Sequence, residues 1–239
     1  MDHTDLLRRI SRPATTFTTG GFRPLHTLTE PWIGRVFAYA PNEGLPLDED
    51  GLPMLPLAQF YLPDLPFVPD ELAGTALLTA FVSRQLPKPR EPMGARWLIR
   101  EYASLDDVEH RDVLHPEPRF KAFPLRPRLV PGDCPLWDGG GLDRASEDEI
   151  LDLERSRVID SYYDIAEHTY DHKLGGYPSF CQSGILEDGE YVEGFGEGFE
   201  FVFQISSDEK AGIHIVDSGS LMFAKNEERG AWSMYYDFY

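Results

Sequence analysis

His168 and His172 stand four residues apart, a spacing that on a helix brings two imidazoles to one side, with Asp171, His214 and Asp217 as candidate further ligands. The glutamate of an H-E-x-x-H pair is missing, and Gly175 and Gly176 end such a helix near His172, so no metal site is expected. His172 reads instead as a hydrogen-bonding residue. Asp217-Ser218-Gly219 with His214 nearby supplies the parts of a hydrolase triad without its nucleophile elbow, and a side-chain-capped turn accounts for the same residues. Gly194-Phe195-Gly196-Glu197-Gly198 has the glycines of a phosphate-cradling loop. No Lys-Ser/Thr follows, however, and Glu193, Glu197 and Glu200 would repel the anion. Asp48-Glu49-Asp50-Gly51 lacks the alternating ligands and final glutamate of a calcium loop and reads as a solvated turn. The residues therefore predict no enzyme and no cofactor.

The elements that must position these groups meet at His168-Thr169-Tyr170-Asp171-His172-Lys173-Leu174-Gly175-Gly176-Tyr177-Pro178. Two glycines before an aromatic and a proline require a sharp turn, with a positive φ at Gly175 or Gly176 and a fixed φ at Pro178. Upstream, Ser146 and Glu149 stand at the N-cap and N3 spacing of a capping box. From there one long helix is expected, with Leu151, Val158, Tyr162 and Ile165 on its apolar face and Asp152, Asp160, Asp164 and Glu167 opposite. Downstream, Phe199, Phe201, Phe203 and Ile205 alternate as one face of a strand. Ile213 to Val216 and Leu221 to Lys225 form a predicted hairpin about Asp217, and Trp232 to Tyr239 a terminal strand.

Earlier in the chain, residues 4 to 10 form a short predicted helix, and strands are expected at Arg35–Ala40, Leu55–Tyr61, Ala76–Val82 and Ala95–Tyr102. The remainder of residues 84 to 143 is rich in proline and charge and reads as extended loops. Strands ending in Gln59 and Gln204 each lead to an aspartate, Asp64 or Asp208, and then to a second apolar strand, an internal echo that predicts two similar β units. The expected fold class is α+β, β-rich with mostly antiparallel sheets. One domain over residues 1–239 is expected, with lobes 1–142 and 143–239 divided at Gly139-Gly140-Gly141.

Charge narrows the choice of partners. There are 41 acidic against 22 basic residues, a net −19; residues 1–142 carry −4 and residues 143–239 carry −15. Such a chain is not expected to bind nucleic acid. No apolar run is long enough to span a bilayer and no secretory stretch opens the sequence, which predicts no membrane association and a cytoplasmic location. Cys134 and Cys181 form no CxxC and read as reduced, small buried hydrophobes. Glu187-Asp188-Gly189-Glu190-Tyr191-Val192-Glu193 sets acids about one aromatic in a predicted loop, a pattern suited equally to a partner-binding surface and to a solvated hairpin tip.

Three blocks carry a resemblance. His172, Lys173, Gly175, Gly176, Tyr177, Pro178 and Gln182 fall on an HKLGGYPxFxQ signature, Asp48 to Gln59 on DxDGxPxxFLAQ, and Phe203 to Asp208 with Asp217-Ser218-Gly219 on LQIDSD and DSG elements. Over residues 35 to 225 the chain resembles the YwqG-like family, bacterial proteins grouped as a domain of unknown function. Gly20-Gly21-Phe22-Arg23-Pro24 departs from the family's FGGxPxLP opening. The resemblance implies two β units sharing a core. It also implies an immunity protein that neutralises a cognate toxin, including nuclease effectors delivered by type VI secretion. A nuclease needs a basic cleft, which an acidic surface can occupy. The alternative is an enzyme or small-ligand site at the junction using His172, Lys173 and Asp217.

Overall fold

The computed structural model describes residues 3–182 and 194–238. Helix α1 (Thr4–Ile10) leads into β1 (Arg12–Thr19), followed by two short strands, β2 (Trp32–Ile33) and β3 (Ala38–Tyr39). Next come β4 (Leu55–Tyr61), β5 (Leu77–Val82) and β6 (Trp97–Tyr102), then β7 (Glu109–His110), which pairs with β3, and the long β8 (Phe123–Asp133). Helix α2 (Arg144–Arg155) precedes β9 (Lys173–Gly175), β10 (Glu200–Ser206), β11 (Ser220–Asn226) and β12 (Ala231–Asp237).

Ten strands form one antiparallel sheet in the order β12-β11-β10-β9-β1-β8-β2-β4-β5-β6, curled into a nearly closed barrel. Outward from the central β1–β8 pair, each arm has a short strand, then a strand with a buried glutamine, then two more antiparallel strands. The outer ends meet through side chains rather than a ladder. Glu101 on β6 accepts from Lys225 Nζ at 2.7 Å and from Trp232 Nε1 at 2.8 Å. Burial opposes ionisation of this carboxyl, yet hydrogen bonds from Lys225, Thr75 and Trp232 hold it below the ordinary carboxylate range.

The core lies inside the barrel and draws on both arms: Phe203 stacks on Phe223 at 4.5 Å and meets Phe60 at 5.9 Å, while Trp97 meets Phe223 at 5.8 Å. Burying each such ring contributes about 1.5–3 kcal/mol. A register shift between Phe201 and Phe203 breaks the expected alternation of β10, so Val202 joins Phe203 in the barrel core and Phe201 packs outside with Phe180, Phe195 and Met222.

Several elements differ from the sequence reading. Helix α2 begins earlier because Asp143, an equally good cap, accepts the Ser146 N–H at 2.7 Å, which leaves Ser146 buried inside the first turn. The helix is not long: it ends at Arg155, and Arg157 takes a left-handed φ of 58°. Its buried face is therefore Ile150 and Leu153, while Val158 is 53% exposed and Tyr162 sits in a separate 3-10 turn closed by Asp164. Arg35–Ala40 contributes only the two residues of β3. Ile213–Val216 forms no strand either; Ile213 makes a single bridge to Asp208, and the hairpin joins β10 to β11.

Candidate functional site

The chain passes directly from a loop into β9 at the junction, and the geometry there follows from one buried aspartate. Asp133, the last residue of β8, accepts from Lys173 Nζ at 2.8 Å, from the Tyr177 N–H at 2.8 Å and from the Thr169 N–H at 2.6 Å. Both charged side chains are fully buried. Burial pushes the Lys173 ammonium below its ordinary value, and Asp133 opposes that shift. Gly176, at φ 71°, lies so close that a Cβ would meet Asp133 Oδ2 at 2.2 Å; Gly175, at φ 75°, would drive one into Phe67 at 2.4 Å. The two glycines are thus required by space as well as by backbone.

His168 lies beside this pair. Its Nδ1–H donates to the Cys134 carbonyl at 2.7 Å, and Nε2 accepts from the Ser179 hydroxyl at 2.9 Å. Burial, with Lys173 nearby, pushes its pKa down to about 4, so the ring is neutral at pH 7. Ser179 Oγ in turn accepts from Gln204 Nε2 at 2.9 Å, while Gln204 Oε1 accepts the Ser179 N–H at 3.2 Å. His172 Nδ1 accepts the Ser206 N–H at 3.0 Å, which puts the ring proton on Nε2, donating to Asp208 at 3.1 Å. The hydrogen bond from His172, aided by those from Thr19 and the Ala211 N–H, holds the Asp208 carboxyl well below the usual range. Both imidazoles have both nitrogens engaged, and their side chains are only 2% and 4% exposed.

A cleft of about 890 Å³ opens over the His172–Asp208 pair and is lined by Lys210, His214, Asp217 and Ser218 among others. It brings together His172, His214 and Asp217, which the sequence reading grouped, but not Lys173, whose side chain points to Asp133. No hydrogen bond joins Ser218 to His214 or Asp217, and no group of three or more His, Cys, Asp or Glu side chains is placed to hold a metal ion, both among the described residues. Val216 and Ser218, at φ 47° and 55°, sit in the left-handed region on the cleft's rim, where a β-branched residue is rarely found. Tyr177 and Pro178 are buried, with the Arg12 guanidinium 4.5 Å from the Tyr177 ring centroid. Residues 187–193, with Glu187, Asp188, Glu190, Tyr191 and Glu193, lie outside the described residues.

A second candidate surface is the layer formed by α2 and the turns after it. Residues 138–171 hold eleven acids and three bases. Asp138, Asp143, Asp148, Asp152, Asp160, Asp164, Glu167 and Asp171 are exposed there. Of the eleven acids, only Glu149 and Asp152 have an ion-pair partner among the described residues. Tyr163, 54% exposed, and Tyr170, 43% exposed, stand between the acids.

The family model described as "Domain of unknown function (DUF1963)" matches residues 36–229. YwqG-like proteins fall within that family. No curated protein matches the chain.

Proposed function

The chain belongs to the DUF1963 family, and from the toxin-neutralising role that its YwqG-like resemblance implies we propose that it is a cytoplasmic immunity protein that binds a cognate toxin through an acidic surface. The toxin is a basic protein, in this reading a nuclease effector of type VI secretion. The observation that carries the proposal is the α2 layer, with eleven acids against three bases and two half-exposed tyrosines. Unpaired carboxylates speed encounter with a basic cleft, and rigid aromatics supply the area that holds it. The proposal also takes the two arms of the sheet as duplicated β units, supported by the matching glutamines Gln59 and Gln204.

Co-expression with the toxin encoded by the adjacent gene tests the reading. The expected result is a complex that survives gel filtration, rescue of toxin-expressing cells, and an association rate that falls with salt. Reversing Asp148 and Asp160 to lysine together slows association by about tenfold. A failure of both complex and rescue removes the proposal.

A second reading, a ligand site in the cleft beside His172, is favoured by its volume and by the left-handed Val216 and Ser218 on its rim. Under it, Asp217→Ala folds normally yet loses a ligand-dependent rise in melting temperature, and reversal of the α2 acids has no effect.

A further inference from the structure

The segment Gly20-Gly21-Phe22-Arg23-Pro24, which fits neither the family pattern nor the toxin-binding surface, takes part in a different site. Between it and the ends of β2 and β8 lies a cavity of about 460 Å³, walled by Phe22, His26, Trp32, Phe37 and Phe123 together with Arg35. That volume is in the range of small-molecule sites. The walls are ordered by ring contacts: His26 stacks on Trp32 at 5.2 Å, and Phe37 meets Trp32 edge-on at 5.1 Å. The buried Glu30 carboxylate accepts the N–H groups of Leu25 and His26 at 2.8–3.0 Å, fixing His26 at a left-handed φ of 57°.

Two polar atoms at this cavity are unusual. Trp32 is only 3% exposed, and its Nε1–H has no acceptor among the described residues. Arg35 Nε is likewise buried without one. Buried donors are nearly always paired, and here two unpaired donors belong to residues lining one cavity. The surrounding charge leans the same way through Arg126, 4.4 Å from the Phe22 ring centroid; Arg35, 5.4 Å from that of Phe37, and the lining Asp112 offset each other as an ion pair. Within a chain of net −19, this pocket offers aromatic faces and hydrogen-bond donors under arginines.

We propose that this cavity binds a small planar aromatic anion, its ring against Trp32 and the neighbouring aromatics and its carboxylate accepting from Trp32 Nε1–H and Arg35 Nε–H. The site is separate from the acidic surface and stands whether or not a toxin is bound.

The test titrates the full chain with naphthalene-2-carboxylate, its uncharged amide, and naphthalen-2-ylmethanamine, read by calorimetry and by ¹H–¹⁵N spectra of the tryptophan and arginine side chains. The carboxylate is expected to bind at least about tenfold more tightly than the amide, with the amine weakest. The indole signal of Trp32 and the Nε–H signal of Arg35 should move, and those of the other three tryptophans stay. Arg35→Gln should weaken carboxylate binding by about tenfold while leaving the amide nearly unchanged. Phe22→Ala, on the half-buried rim, keeps the fold and should weaken both by a few-fold. Equal affinity for the three probes, no binding at millimolar concentration, or movement confined to other tryptophans would overturn the inference.

Discussion

Gln59 on β4 faces Trp32 on β2, and Gln204 on β10 faces Lys173 on β9, at matching places in the two arms of the sheet. Each buried amide spans the loops that flank the short strand. Gln59 accepts the N–H groups of Phe37 and Ala38 and donates to Leu28 O; Gln204 accepts the Ser179 N–H and donates to Asp171 O. The brace is common to both arms, and the residue opposite it is not. Trp32 walls an aromatic cavity, whereas Lys173 is neutralised by Asp133 beside an open cleft. A two-residue or three-residue strand makes too few ladder bonds to fix its own loops, so the glutamine does this and leaves the facing position free for other chemistry.

The sharpest way to break this comparison is to remove what only one arm has. Asp133→Ala leaves the Lys173 ammonium and the N–H groups of Thr169 and Tyr177 buried without their acceptor, and should cost about 3–5 kcal/mol in urea denaturation. A loss under about 1 kcal/mol would mean that water already serves the ion pair. The shared brace comes next. Gln59→Leu orphans two buried N–H groups and should cost about 2–4 kcal/mol, Gln204→Leu orphans one and should cost about 1–3 kcal/mol. The two residues share no partner, so the double variant should show the sum; strong coupling would mean that the arms are not independent braces.

Much of the arms was legible in the sequence, and their join was not. Runs such as Leu55–Tyr61 and Leu77–Val82 announce themselves because nearly every side chain is apolar and buried. The central pair gives no such signal. β1 is largely threonine, and β8 carries Pro124, Pro127 and Pro131 with only three of its eleven residues buried, a composition that reads as loop. Asp133 therefore stood in an apparent turn, and nothing local linked it to Lys173, forty residues later. Gly175 and Gly176 revealed a tight site, but not that the carboxylate and the Phe67 ring make it tight. Likewise, His168 and His172 stand at helical spacing without a helix, because Arg157 had already turned the chain out of α2.

Protonation separates His168 from Asp208, the partner of His172. His168, with a pKa pushed from 6.5 to about 4, is buried neutral, so below pH 6.5 the unfolded chain takes up a proton that the folded chain refuses. Stability should be level above pH 6.5 and fall by up to about 3 kcal/mol as pH drops to about 4, a slope that His168→Gln should flatten. Asp208 acts in another window. Its lowered carboxyl favours the folded state above 3.8 and loses that contribution only at lower pH, so Asp208→Asn should leave the slope between 4 and 6.5 intact. Denaturation midpoints at pH 7, 5 and 3 for the parent and both variants distinguish the two; a single shared transition would tie the two groups into one titrating unit.

The smallest effect on folding sharpens the contrast between braced interior and acidic exterior. Asp148 and Asp160 are exposed, and neither has an ion-pair partner among the described residues. Replacing either by lysine should change the free energy of unfolding by no more than about 0.5 kcal/mol. The like-charged neighbours make the sign informative. With eleven acids against three bases over residues 138–171, a lysine relieves repulsion, so each reversal should stabilise slightly at low salt and be neutral at high salt. A destabilisation of about 1 kcal/mol would show that these carboxylates support the fold, leaving their density without the need for a partner that the proposed function supplies.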